Sequence, residues 1–151
     1  MRILFISTMA GNPWGGSEEL WVKSADYALS KGHKVIFSVY NWGRLHDKLT
    51  SLKKKHATLH LRTRGFYGHS TYQRAYGKLM NILFSGWQIT GLKKYRPDAI
   101  FISQGTVYEA MFPSFLKLMN ATGARVFIIT QANTEYNTIP SHCFSVGREL
   151  F

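Results

Sequence analysis

Gly15, Gly16 and Ser17 are the residues of this chain best suited to chemistry. They follow a short apolar run, Arg2 to Ser7, and open an amphipathic stretch that ends at Gly32 and His33. A buried strand feeding a glycine turn and then a helix start is how α/β folds hold anions. The first N–H groups of the helix lack intrahelical partners, and the helix dipole is positive there. Glycine also lets backbone approach a ligand closely, because no Cβ intervenes. The pattern makes phosphate the first ligand to consider, beside the alternative that the glycines serve only the tight turn every βαβ unit needs. Farther along, Gln104 and Gly105 follow a second apolar run, and Gln131, Asn133 and Glu135 follow a third. Side-chain amides donate and accept hydrogen bonds but do not act as general bases, so Glu135 is the one carboxylate among them. A capping or surface role for Glu135 stays equally open.

Of two familiar phosphate motifs, the letters disfavour the first and exclude the second. The dinucleotide fingerprint needs G-x-G-x-x-G and an acidic residue closing the second strand, whereas here the turn reads Gly11-Asn12-Pro13-Trp14-Gly15-Gly16 and the second run ends Val39-Tyr40-Asn41. The nucleoside-triphosphatase loop needs Gly-Lys-Ser/Thr, and Gly16 is followed by Ser17-Glu18.

For the scattered polar residues to meet, one sheet edge must collect them. Lys34 to Tyr40 is β-branched and aromatic, bounded by Gly32-His33 and Asn41-Trp42-Gly43, and reads as a buried second strand. Arg44 to Lys55 reads as a helix with Leu45, Leu49 and Leu52 on one face. Ala57 to Leu61 supplies a third strand, Gly65 to Ser70 a loop, and Thr71 to Tyr95 a helical region with a break at Gly86. Ala99 to Ser103 is the fourth strand. Tyr108 to Ala121 is helical, Pro113 marking a start or kink, and Arg125 to Thr130 is the fifth strand. Asn133 to Pro140 reads as loop, and Ser141 to Phe151 as a helix begun without a C-cap, so the domain is expected to belong to a larger protein. Strands alternating with helices and no hairpin signals predict an α/β, Rossmann-like three-layer α/β/α domain with a mostly parallel sheet. Ligands of such sheets lie at the carboxyl ends of the strands. That rule selects Ser7 to Gly16, Asn41 to Gly43, Arg62 to Ser70, Gln104 to Tyr108 and Gln131 to Tyr136 as loops lining one cleft.

The 151 residues suffice for one domain with a real core. The single cysteine, Cys143, can form no internal disulfide and has no metal-ligand spacing. No run of about 18 apolar residues is present and the first apolar run is too short for a signal-peptide core, so a cytoplasmic location is expected. A net charge of +11 is unevenly spread: Arg44 to Arg64 holds seven Lys or Arg against one acid, Asp47. Such a field either attracts anionic partners or simply solvates a face.

Met1 to Ser7, Gly15-Gly16-Ser17-Glu18-Glu19-Leu20-Trp21, and Ala28-Leu29 with Gly32-His33-Lys34-Val35 together resemble the amino-terminal half of a GT-B glycosyltransferase of family 4. Pro97 to Gly105 and Val126 to Glu135 are similar to that family's fourth and fifth strands with their loops, and the resemblance runs through Thr138. It implies an acceptor-binding domain of a retaining, metal-independent, nucleotide-sugar-using enzyme of surface polysaccharide, lipopolysaccharide or glycolipid synthesis. It implies no cofactor and a nucleotide-diphosphate sugar as substrate, its phosphates held at Gly15, Gly16 and Ser17. Trp14, Gln104, Gly105, Gln131 and Asn133 are the implied acceptor or sugar contacts, and Gln131 and Glu135 the catalytic candidates. Many members place histidine in the loop after the fourth or fifth strand. Gln104 and Gln131 stand at those points here, which fits positioning rather than proton transfer. The nucleotide itself would be held by a carboxy-terminal domain bearing Glu-x7-Glu, supplied by the same chain or a separate subunit. No two glutamates in this chain have that spacing.

A reading from another class competes. Phe66, Tyr67, Tyr72, Tyr76, Phe84 and Trp87 interleave with Arg62, Arg64, Arg74 and Lys78, a composition suited to stacking bases or lying on an anionic membrane. Leu79, Ile82, Leu83, Ile89 and Leu92 form a stripe that a Rossmann-like sheet would bury instead. A peripheral position at the inner membrane face is compatible with the transferase reading, and specific nucleic-acid binding is not expected. His33 reads as structural, with His69 and His142 as further candidates for lining the cleft.

Overall fold

The computed structural model describes residues 1–9, 12–63, 72, 86–104 and 111–130. Within them, β1 (Arg2–Ser7), α1 (Gly16–Ser30), β2 (Lys34–Tyr40), α2 (Asp47–Lys54), β3 (Thr58–Arg62), β4 (Ala99–Gln104), α3 (Pro113–Thr122) and β5 (Arg125–Thr130) follow in order. The strands form one parallel sheet in the order β3-β2-β1-β4-β5. The direction of winding reverses between β1 and β4, which makes the crevice between their carboxyl ends the expected ligand position.

Period-2 alternation sends successive strand residues to opposite faces. On one face Ile3, Phe5, Val35, Phe37 and Val39 pack against Trp21, Val22, Ala25 and Ala28 of α1 and Leu49 and Leu52 of α2. On the other, Leu4, Ile6, Ile36, Ile100 and Ile102 pack against Ile89, Leu92 and, from α3, Phe115 and Leu118. The sandwich is therefore the expected three-layer α/β/α domain. One rank of side chains crosses the sheet in register: Phe37 opposite Phe5, Phe5 opposite Phe101, and Phe101 opposite Phe127. Phe5 and Phe101 stack at 5.0 Å between ring centroids, and Phe101 and Phe127 at 4.7 Å. Trp21 lies on Phe5 at 5.7 Å.

Several boundaries differ from the sequence reading, β4 for example running one residue further, to Gln104. α2 begins at Asp47 rather than Arg44, because Gly43 turns the chain at φ +83° and His46 caps the helix, its Nδ1 accepting from Lys48 N at 3.3 Å. Leu45 precedes the helix yet still packs on the core. α3 begins at Pro113, a residue with no N–H to lose at the first helical position, so the proline is a start and not a kink. β3 ends one residue later than expected and includes Arg62. Residues 86–90 are helical and pass into a 3-10 turn, Gly91–Tyr95, so helical character changes form after Thr90. The loop expected at Gly65 to Ser70, most of the helix from Thr71, and everything after Thr130 lie outside the described residues.

Candidate functional site

β1 ends at Ser7 beside Ser103 of β4, and Thr8 N continues the ladder to Ser103 O at 2.9 Å. α1 starts directly above this pair. Its N-cap is Gly15, with no side-chain cap. The first intrahelical bond runs from Glu19 N to Gly15 O at 3.2 Å, so the N–H groups of Gly16, Ser17 and Glu18 precede the helical ladder. Gly15 is extended (φ −161°), and the described glycines with positive φ are Gly32, Gly43 and Gly123. Neither glycine of the turn is therefore required by a left-handed backbone conformation. A Cβ on Gly15 would meet the flexible end of Met9 at 2.9 Å and Glu18 Oε2 at 3.5 Å.

The turn is organised from beneath by a residue the sequence reading passed over. Glu18 is 2% exposed. Its Oε1 accepts from Ser7 Oγ at 2.6 Å and its Oε2 from Ser17 Oγ at 2.8 Å. The hydroxyl of Ser17 is thus buried and bonded to Glu18, which leaves the backbone N–H as the group of Ser17 relevant to a phosphate. The signal was present: Trp21, Val22, Ala25 and Ala28 define the inward face of α1, and stepping back one turn from Trp21 reaches Glu18. An internal carboxylate already meets part of the helix's positive end. Two like charges 4 Å apart at an effective dielectric near 20 repel by about 4 kcal/mol. A helix terminus supplies roughly 0.3–2 kcal/mol. Any phosphate on the Gly16 and Ser17 N–H groups must therefore sit outward of Glu18.

Glu18 and Ser7 form the floor of a cleft walled by Met9 and Pro13 on one side and by residues 40–46 on the other, with Val39, Leu49 and Leu61 completing it. Asn41 Oδ1 accepts from Gly43 N at 2.9 Å and holds the β2–α2 turn. The two walls are joined outside the cleft. Trp14 stacks on His46 at 3.7 Å with ring planes 9° apart, Lys48 Nζ lies 6.0 Å from the Trp14 ring centroid, and Lys48 pairs with Glu19. That ammonium lowers the pKa of the Glu19 carboxyl. One face of Trp14 is thereby taken up inside the protein. Arg62, one of the cations of the competing nucleic-acid or membrane reading, is 3% exposed; its guanidinium lies 4.2 Å from the centroid of the Tyr40 ring and donates to Ser7 O. It is a strut under the site.

The backbone of Gln104 ends β4, opposite Thr130 of β5 and next to β1, so the loops after β1, β4 and β5 leave the same sheet edge. Gly105, Gln131, Asn133 and Glu135, with His69, His142 and Cys143, lie outside the described residues. Among the described residues no group of three or more His, Cys, Asp or Glu is placed to hold a metal ion, and no helix is long and apolar enough to cross a membrane. Lys48 and Lys55 pair with Glu19 and Asp26, so part of the basic field is neutralised within the domain. Trp87 and Tyr72 are exposed, at 76% and 82%, while Ile89 and Leu92 are buried as the sheet-packing reading requires.

No protein-family model matches the chain, and no curated protein matches it. Among solved structures, the fold is similar to the crystal structure of the glycotransferase of kitacinnamycin, with a TM-score of 0.57 at 11% identity. The likeness covers 98% of this chain and 34% of that one, so this chain spans about a third of the length of its structural neighbour. The fold is a Rossmann-like α/β domain of the kind found in that glycosyltransferase.

Proposed function

We propose that this domain is the acceptor-side half of a retaining, nucleotide-sugar-dependent glycosyltransferase of the family 4 type, acting in surface polysaccharide, lipopolysaccharide or glycolipid synthesis. The observation that carries the reading is the position of the uncapped α1 terminus, Gly15-Gly16, at the point where strand order reverses between β1 and β4. Backbone N–H groups there stabilise the charge that develops on the leaving diphosphate, without proton transfer. A carboxy-terminal domain, in the same polypeptide or a separate subunit, completes the donor site, and Gln104, Gly105, Gln131, Asn133 and Glu135 are the residues assigned to the sugar. The isolated 151-residue chain is accordingly inactive.

The test is Gly16→Val in the complete enzyme. Because no positive φ is needed at this position, the variant folds, while its side chain obstructs the phosphate and removes about 3 kcal/mol of transition-state stabilisation, roughly a hundredfold in rate. Initial rates and thermal melting are measured on the same sample. A folded variant with an unchanged rate removes phosphate contact from the reading. A non-enzymatic module for anionic membrane or nucleic acid is the alternative, and the burial of Arg62 and internal pairing of Lys48 and Lys55 weigh against it.

A further inference from the structure

A buried carboxylate is retained only where its oxygens are satisfied, and a carboxylate offers roughly four acceptor positions. Glu18 uses one on each oxygen, both for neutral hydroxyls, Ser7 and Ser17. Among the described residues no ion pair reaches it. It nevertheless lines a cleft, where Asn41, Trp42, Arg44 and His46 stand across from it. The cleft thus combines an acceptor pair on its floor with aromatic rings and amide and guanidinium donors on its wall. An anionic group is repelled from that floor by Glu18. An apolar ligand leaves the carboxylate's remaining lone pairs unmet. A ligand with adjacent hydroxyls satisfies them, one hydroxyl to each oxygen, and lays its C–H face on an aromatic ring.

We propose that Glu18 is the hydroxyl-accepting group of a saccharide subsite in this cleft, taking two neighbouring hydroxyls of a single sugar ring. Ser7 and Ser17 fix the carboxylate's orientation before the ligand arrives. The proposal rests on the transferase reading, which it deepens by placing an uncharged, diol-bearing acceptor ring between the β1–α1 and β2–α2 loops, apart from the phosphate on the Gly16 N–H.

The test is amide chemical-shift titration of the 15N-labelled full chain with methyl α-D-glucopyranoside, its monodeoxy analogues and inorganic pyrophosphate. The parent glycoside is expected to shift Ser7, Asn41 and His46. Two analogues lacking adjacent hydroxyls bind at least about tenfold more weakly, and Glu18→Gln loses a similar factor while binding pyrophosphate at least as tightly. The proposal is overturned if no glycoside shifts these amides in the wild type, or if every monodeoxy analogue binds like its parent, an outcome that does not depend on any variant folding. Pyrophosphate shifts at Gly16 and Ser17 without glycoside shifts sink the diol subsite alone and leave the donor turn standing. The reverse pattern sinks the donor turn.

Discussion

The indole of Trp14 lies flat on the imidazole of His46, ring centroids 3.7 Å apart, although the two residues belong to loops that leave different strands. His46 is also the cap of α2, so one ring both terminates a helix and pins the neighbouring loop. The two cleft walls are in this way a single unit.

Trp14→Ala removes the stack together with the indole's partial packing on the core. Aromatic pairs contribute about 0.5–1.5 kcal/mol beyond burial, and urea unfolding is expected to register a loss of at least that order. The amide of Lys48, capped by His46, exchanges faster in the variant. Unaltered exchange at Lys48 would show that the stack does not hold the cap.

The rank of phenylalanines makes a graded test of burial. Phe37 is 0% exposed and Phe127 47% exposed in the same register row. Phe37→Ala is expected to cost about 3–5 kcal/mol, and Phe127→Ala well under half of that. Equal losses by chemical denaturation would contradict the packing described.

His60 gives the folded state a pH dependence. Burial, then the charges of Lys94 and Arg62, lower its pKa, and its Nδ1 lies 3.1 Å from Ser38 Oγ. The unfolded chain therefore takes up the proton at higher pH than the folded one. Stability present above the unfolded value of about 6.5 is lost as pH falls through it, and the decline levels off below the folded pKa. His60→Gln lacks this decline. Parallel melting curves for the two proteins from about pH 8 to about pH 5 would remove His60 from the account.

Weak association with anionic vesicles is expected from the exposed cations of α2 and the segment around Trp87, falling steeply in about 0.5 M salt. Lys53→Glu with Lys54→Glu diminishes it further. Equal binding to neutral vesicles would rule out the electrostatic origin.

Much of this architecture is legible in the letters, for physical reasons that differ by element. β2 and β5 match their expected limits because each is a β-branched and aromatic run closed off by turn residues or a helix end. The start of α2 was misread because Leu45, Leu49 and Leu52 keep helical spacing across a boundary set by Gly43 and His46, whose effect is backbone geometry rather than hydrophobic pattern. In the site, the glycine turn was visible as a motif. The role of Glu18 is harder to see, since charge at a helix start ordinarily faces water; the inward stripe of α1 carries it one turn back from Trp21, and its hydroxyl partner Ser7 is known only from the fold. Arg62 was grouped by composition with a basic surface, whereas parallel pairing places it opposite Tyr40.

Two ion pairs span α1 and α2, Glu19 with Lys48 and Asp26 with Lys55, and both steps along the helices are seven residues, about two turns. The contacts act as pegs at matched intervals on parallel rods. A slide of one helix by a single turn would break both at once, so they select one alignment out of several that the apolar stripe alone would accept. Their contribution is to the choice of packing more than to its depth, and it determines how far the Gly15 turn stands above the β2–α2 wall.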